Sequence, residues 1–163
     1  MTTQEPVRNT VVIGAGPAGL MAAEQLADAG VAVTVYERMP SPGRKFLLAG
    51  RGGLNLTHTE DFESFVARYG ARTTALRPAI ERFTPEMLRA WSEKLGQKTF
   101  AGSSGRVFPE AFKSSPLLRA WLRRLDAAGG AFRVRPRRLG WGGGGRLFDT
   151  TAGKATAQAD AVV

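Results

Sequence analysis

The chain has 163 residues, 43% apolar and 23% charged, proportions of one globular domain that exclude a disordered chain. It carries no cysteine and one histidine, His58, which excludes disulfides, thiolate metal sites, thiol catalysis and multi-histidine metal sites. Lys and Arg total 23 against 14 acids, a net charge of +9, and no apolar run reaches the roughly 18–20 residues of a membrane span.

Thr10 to Ile13 is a short β-branched and apolar run that predicts a buried strand. Gly14-Ala15-Gly16-Pro17-Ala18-Gly19 follows, then an Ala- and Leu-rich helix over Leu20 to Ala29, which Gly30 stops. Val31 to Tyr36 predicts a second strand. Strand, glycine turn, helix and strand within thirty residues make a βαβ unit, so the sheet is expected to be parallel. Met39 to Thr59 has no sustained periodicity and six Gly or Pro residues, which reads as a functional loop.

Three helices are expected next. Phe62, Phe65, Val66 and Tyr69 mark the first, and Leu76, Ile80 and Phe83 the second. The third opens with Thr84 as cap and Pro85 at its first position, buries Met87, Leu88, Trp91 and Leu95, and ends at Gly96. Lys98 to Ala101 and Arg106 to Phe108 read as short strands around Gly102-Ser103-Ser104-Gly105. A fourth helix over Ser115 to Ala128 puts Leu117, Leu118, Trp121, Leu122 and Leu125 inward and Arg119, Arg123, Arg124 and Asp126 outward. Strand-like segments follow at Ala131 to Trp141, Arg146 to Thr150 and Lys154 to Val163, separated by glycine-rich turns. The last of them runs into the chain end as an apolar strand with no turn or helix after it, which predicts a truncated sequence.

Gly14-x-Gly16-x-x-Gly19 between a strand and a helix is the dinucleotide fingerprint. Gly14 serves the tight turn, Gly16 the approach of a pyrophosphate and Gly19 close helix–strand packing, with Pro17 and Ala18 completing the turn. The helix start offers unpaired N–H groups and a positive dipole end to the diphosphate. Glu37, at the end of the second strand, is placed to accept hydrogen bonds from ribose hydroxyls. This suits NAD or the adenosine half of FAD and disfavours a 2′-phosphate, although Arg38 could accommodate NADP. Arg44 and Lys45 are candidates to balance diphosphate or flavin charge, and Gly50, Arg51, Asn55 and Thr57 are candidate contacts in the glycine-rich loop. His58 is the one side chain with an ordinary pKa near neutrality and a candidate for proton transfer. Arg106 either contacts a cofactor or supports a turn.

The fingerprint ending in Glu37, the run GRKFLLAGRGGLNLTH from Gly43 to His58, and SGRVFPE from Ser104 to Glu110 with Lys113 after it resemble a bacterial flavoprotein family. It is the group of NAD(FAD)-utilising dehydrogenases, the BaiN/YhiN-like FAD-dependent oxidoreductases of the two-dinucleotide-binding superfamily. Much of that family has Arg-Cys-Asn where this chain has Gly53-Leu54-Asn55, so no thiol role carries over. The resemblance implies an α/β Rossmann-like parallel sheet, incomplete at its C-terminus, with a helical insertion over 60–128 and a strand plus β-meander over 131–163. On this reading, residues 1–163 are the N-terminal part of an FAD-binding domain, and the substrate domain and second glycine-rich FAD contact lie outside the chain. The implied function is flavin-mediated hydride or electron transfer with FAD as cofactor, NAD(P)H as a candidate donor and an unidentified small-molecule substrate. The alternative is a non-catalytic module that holds NAD or ADP-ribose and acts through partners.

The remaining expectations concern surroundings. The arginines are spread along the chain, and the densest stretch, Arg119 to Arg138, has no aromatic residues interleaved at stacking spacing, so specific nucleic-acid binding is not expected. Met1 to Thr10 lacks the charged start and apolar stretch of a signal peptide, which with the absent membrane span predicts a soluble cytoplasmic protein.

Overall fold

Backbone flanked by β-branched side chains favours extension, and strand β1 (Asn9–Ile13) forms where Thr10, Val11 and Val12 are buried in succession. The computed structural model describes residues 9–48, 52–135, 137–142, 145–150, 153–157 and 159–163. Helix α1 (Pro17–Asp28) and β2 (Ala32–Glu37) follow, then the one-turn α2 (Arg44–Leu47) and the two-residue β3 (Thr57–His58). After α3 (Phe62–Ala67), a 3-10 turn over Gly70–Arg72 leads into α4 (Thr73–Arg82) and α5 (Pro85–Lys94). Strands β4 (Thr99–Ala101) and β5 (Arg106–Pro109) precede α6 (Ser114–Ala127). The last strands are β6 (Ala131–Val134), β7 (Arg137–Gly142), β8 (Gly145–Thr150), β9 (Gly153–Ala157) and β10 (Ala161–Val162). Two compact units result, residues 1–47 with 122–163, and residues 48–121.

The first unit holds a parallel four-stranded sheet in the order β10-β1-β2-β6. Val12 pairs with Val35, Val35 with Phe132, and Val11 with Val162. A parallel sheet covered on both faces buries consecutive residues, which is why β1 shows no alternation. The crossover helix α1 buries Leu20, Ala23 and Glu24. It starts at Pro17, three residues before the expected Leu20, because a proline at the first helical position costs no hydrogen bond. Strands β7, β8 and β9 form an antiparallel meander, after which β10 returns to β1, and Ile13 N donates to Val163 O at 2.8 Å.

The expected single strand from Ala131 to Trp141 is two strands. Its first part completes the parallel sheet and its second opens the meander, so the chain has to change direction between them. Arg135, at φ +64°, makes that change, and its N–H donates to Glu37 O at 2.8 Å. Arg124, expected on the solvent side of α6, instead pairs with Glu24, a side chain only 2% exposed.

In the second unit, β3, β5 and β4 form a small antiparallel sheet in which Thr57 faces Val107 and Phe100 faces Phe108. The expected polar turn closes β4 and β5, with Gly102 N donating to Arg106 O at 2.8 Å. The core gathers Leu54, Val66, Trp91, Leu95, Val107, Leu117, Leu118 and Trp121, and the two indoles meet edge to face at 4.7 Å. Thr84 caps α5 as expected, its hydroxyl accepting from Met87 N at 3.2 Å. Met87 is not buried, at 47% exposure. The inward arc of α5 instead includes Ser92, whose hydroxyl is satisfied by Gln97 O at 2.9 Å. Helix α4 forms around Leu76 and Ile80 but buries none of its residues.

Helix α3 begins at Asp61, whose carboxylate accepts from Ser64 N at 2.9 Å, and Glu63 makes a two-pronged bond with Arg77 on α4. Ser64 holds the Asp61 carboxyl below its ordinary value, and Arg77 does the same for Glu63. Both contributions are therefore present above the ordinary carboxylate range and are lost as pH falls through the lowered values. The Ser64 amide resonance is expected to titrate in acid with a midpoint below that of an unperturbed Asp. A midpoint at the ordinary value would remove the cap.

Candidate functional site

Between β1 and α1 the chain has to turn within three residues. Gly14 does so at φ +102°, a conformation side chains rarely adopt, and its N–H donates to Tyr36 O at 2.8 Å. Gly19 is fixed by contact, because a Cβ there would stand 1.9 Å from Gly14 O. Gly16 is different. It is the N-cap of α1 at φ −77°, and a Cβ on it would meet nothing within 4 Å. Packing among the described residues therefore does not require glycine at position 16, whereas a ligand lying against the helix start would.

Among the described residues no side chain caps Gly16, and no acid occupies the first turn of α1. The first-turn N–H groups, after Pro17, are left for an anion at the positive end of the helix. Pro17 and Ala18 are exposed at this turn.

Glu37 ends β2 beside this loop. Its Oε2 accepts from Ala15 N and its Oε1 from Met39 N, both at 2.8 Å, which fixes the carboxylate and leaves each oxygen able to accept once more. Ala15 O in turn accepts from Gly43 N at 2.7 Å, so the segment that starts α2 is tied to the same loop. A cavity of about 260 Å³ results, lined by Ala15, Gly16, Pro17, Glu37, Met39, Arg44 and Lys45. It combines an acceptor for hydroxyls, backbone donors for an anion and two cations. Arg38 is exposed and does not line it.

The later candidates fall elsewhere. Gly50 and Arg51 lie outside the described residues. Asn55 and Thr57 belong to the second unit, where the Asn55 amide donates to Thr57 O at 2.9 Å and Val107 O at 3.2 Å. The Thr57 hydroxyl is buried with no hydrogen-bond partner among the described residues. His58, read as a proton-transfer candidate, has both ring nitrogens engaged. Nε2 donates to Ser104 O at 2.9 Å, since a carbonyl only accepts, and Nδ1 accepts from Glu60 N at 3.2 Å. The ring thus ties β3 to the β4–β5 turn. Arg106 is exposed directly across the ladder from it.

Sequence reasoning missed Ala15, Met39 and Gly43, which act through their backbones and so leave no side-chain signal. Among the described residues no group of His, Asp and Glu could hold a metal ion, and no helix is long and apolar enough to cross a membrane.

Comparison with known proteins gives relatives of both sequence and fold. The chain is 48% identical over 50 residues to the ribosomal RNA dihydrouridine synthase of Haemophilus influenzae, covering 31% of this chain and 12% of that protein. It is 32% identical over 155 residues to the phytoene dehydrogenase of Streptomyces griseus, covering 85% of this chain and 29% of that one. It thus spans less than a third of the length of these curated relatives. The open conformation of a flavocytochrome c3 fumarate reductase shares the fold, with a TM-score of 0.70 at 21% identity, over 97% of this chain and 33% of that structure. The model of the HI0933-like protein Rossmann domain matches residues 8–163, and the chain belongs to that family, in keeping with the resemblance carried by its motifs.

Proposed function

We propose that this chain is the FAD-binding portion of a flavin-dependent oxidoreductase, with a reduced nicotinamide as candidate donor. The observation that carries the reading is Gly16, where a Cβ would meet open space at an uncapped helix start beside a fixed carboxylate. When bound, FAD supplies the hydride or electron transfer. The chain's own residues hold it, with the first-turn N–H groups of α1 receiving the diphosphate, Glu37 accepting from ribose hydroxyls, and Arg44 and Lys45 offsetting phosphate charge. The setting on this reading is the cytoplasm.

A visible spectrum of the purified chain after incubation with excess FAD and desalting is expected to retain flavin bands. A colourless protein that binds NAD or ADP-ribose would instead establish a redox-silent nucleotide module. Glu37→Ala is expected to weaken FAD binding by about 1–3 kcal/mol through the lost charge-assisted bonds. Titration showing unchanged affinity would remove Glu37 from the site.

For the substrate, a base within RNA is the reading that two observations favour. One relative is named as a ribosomal RNA dihydrouridine synthase, and this chain carries a net charge of +9. That charge suits a polyanion, although the sequence shows no RNA-binding signature. Binding of a labelled single-stranded RNA whose logarithm falls with the logarithm of salt concentration is the expected result, and a flat response would sink this reading.

A further inference from the structure

The β3–β5–β4 sheet has two unlike faces. Along β5, Val107 and Pro109 are buried while Arg106 is exposed and Phe108 half-buried, the alternation of a strand with one face packed. Phe100 stands opposite Phe108 in register, with ring centroids 6.0 Å apart and planes at 31°. Phe112, just beyond β5, completes a triangle at 5.1 Å from Phe100 and 5.6 Å from Phe108, and it is 47% exposed.

Phe112 sits at φ +55°, in the left-handed region that a bulky side chain rarely enters. Several contacts hold it there. Its carbonyl accepts from Leu54 N and its N–H donates to Pro109 O, both at 2.8 Å. Gly53, at φ +101°, lies so close that a Cβ would stand 2.8 Å from the Phe112 ring. The surrounding backbone thus keeps a large ring half in water beside two others. Strain retained in this way is a mark of ligand-holding positions.

The charge around the rings is mainly positive. Arg106 lies two residues from Phe108 on the same strand face, Lys113 adjoins Phe112, and Lys98 precedes Phe100 by two. The Glu110 N–H donates to Lys98 O at 2.9 Å, which puts one acid opposite one of these cations along the ladder.

We propose that this face is a stacking platform for unpaired bases of single-stranded RNA, with Arg106 and Lys113 on the phosphates. The inference rests on the RNA reading of the substrate. Flat rings set among cations match an unpaired strand, whose bases stack on aromatic side chains while its backbone seeks positive charge. An acidic peptide would use the cations without needing the rings.

The test is fluorescence anisotropy of the full chain with a short labelled oligouridine, at several salt concentrations, with thermal melts of each variant. Phe112→Gly suits the positive φ and removes the ring without new strain, and it is expected to weaken binding about tenfold while leaving the salt slope unchanged. Phe108→Ala should act alike, Phe112→Trp should keep the affinity, and Arg106→Ala should lower the slope. RNA binding that survives Phe112→Gly and Phe108→Ala unchanged would overturn the platform and leave the RNA reading standing. Absence of binding by the unaltered chain would overturn both.

Discussion

Gly19→Ala is expected to abolish cofactor retention and lower stability by about 3 kcal/mol or more, at the upper end of overpacking costs. The new methyl would stand 1.9 Å from Gly14 O, and what it meets is backbone rather than the far end of a mobile side chain. Relief requires α1 to move off β1 or the Gly14 carbonyl to rotate, and either change undoes the loop that Glu37 and Tyr36 hold. A loss of that size corresponds to a melting temperature lower by roughly 6–12 °C. Gly16→Ala is the necessary partner experiment. Its φ of −77° and the open space around its Cβ predict stability within about 0.5 kcal/mol of the parent. The same methyl would occupy the ground a diphosphate needs, so FAD retention should fall at least tenfold. If Gly16→Ala retained FAD as the parent does, the cofactor would not approach the helix start and the proposed site would be wrong.

These two glycines show what the sequence disclosed. The spacing Gly14-x-Gly16-x-x-Gly19 between a β-branched run and an Ala/Leu helix marked the turn, the parallel crossover and the acid at the end of β2. Local chemistry also sufficed for α5, where Thr84 and Pro85 together announce a helix start. It sufficed again for the β4–β5 hairpin, with glycines at both ends of its turn. What escaped was set by longer-range events. The run 131–141 reads in sequence as one strand-like stretch, and nothing local says that β6 pairs with β2 while β7 pairs with β8. Two short elements, Arg44–Leu47 and Thr57–His58, are too brief to print a period in their residues.

The candidate site was legible where side chains carry it and silent where backbone does. Glu37 could be chosen from its position, but its bonds to Ala15 N and Met39 N, and the Gly43 N–H on Ala15 O, depend on how a loop folds back. For His58 the sequence disclosed the residue but not its partners. A lone histidine in a glycine-rich loop is a candidate for proton transfer, and in the fold Ser104 O and Glu60 N meet its two nitrogens. Those partners lie two and 46 residues away, and only the nearer is visible in the chain.

The second large effect is the loss of a buried ion pair whose arginine the sequence reading placed on the outward face of its helix. Glu24 belongs to α1, the helix whose start forms the candidate site, and Arg124 to α6. Burial pushes the Arg124 guanidinium below its ordinary value, and a guanidinium keeps its charge inside proteins. Its Nε is buried without a hydrogen-bond partner among the described residues, so the pair gains less than ideal geometry would give. Arg124→Met is expected to cost about 3–5 kcal/mol by leaving a carboxylate only 2% exposed without its cation. Glu24→Leu should cost less, since Arg124 remains one-third exposed and its stem can carry the charge toward water. The combined variant should recover most of the loss, because an apolar pair of similar volume replaces a buried ion pair at little cost. Urea unfolding of all four forms measures this, and additive single effects would show that the two residues do not act together. Acidity provides an independent check on Arg124→Met. Burial of the Glu24 carboxyl without the Arg124 cation favours its neutral form, so the deficit should shrink as pH falls toward the carboxylate range and grow as pH rises. A deficit independent of pH would mean that Glu24 keeps its charge solvated without Arg124, and the pair would then be packing rather than electrostatics.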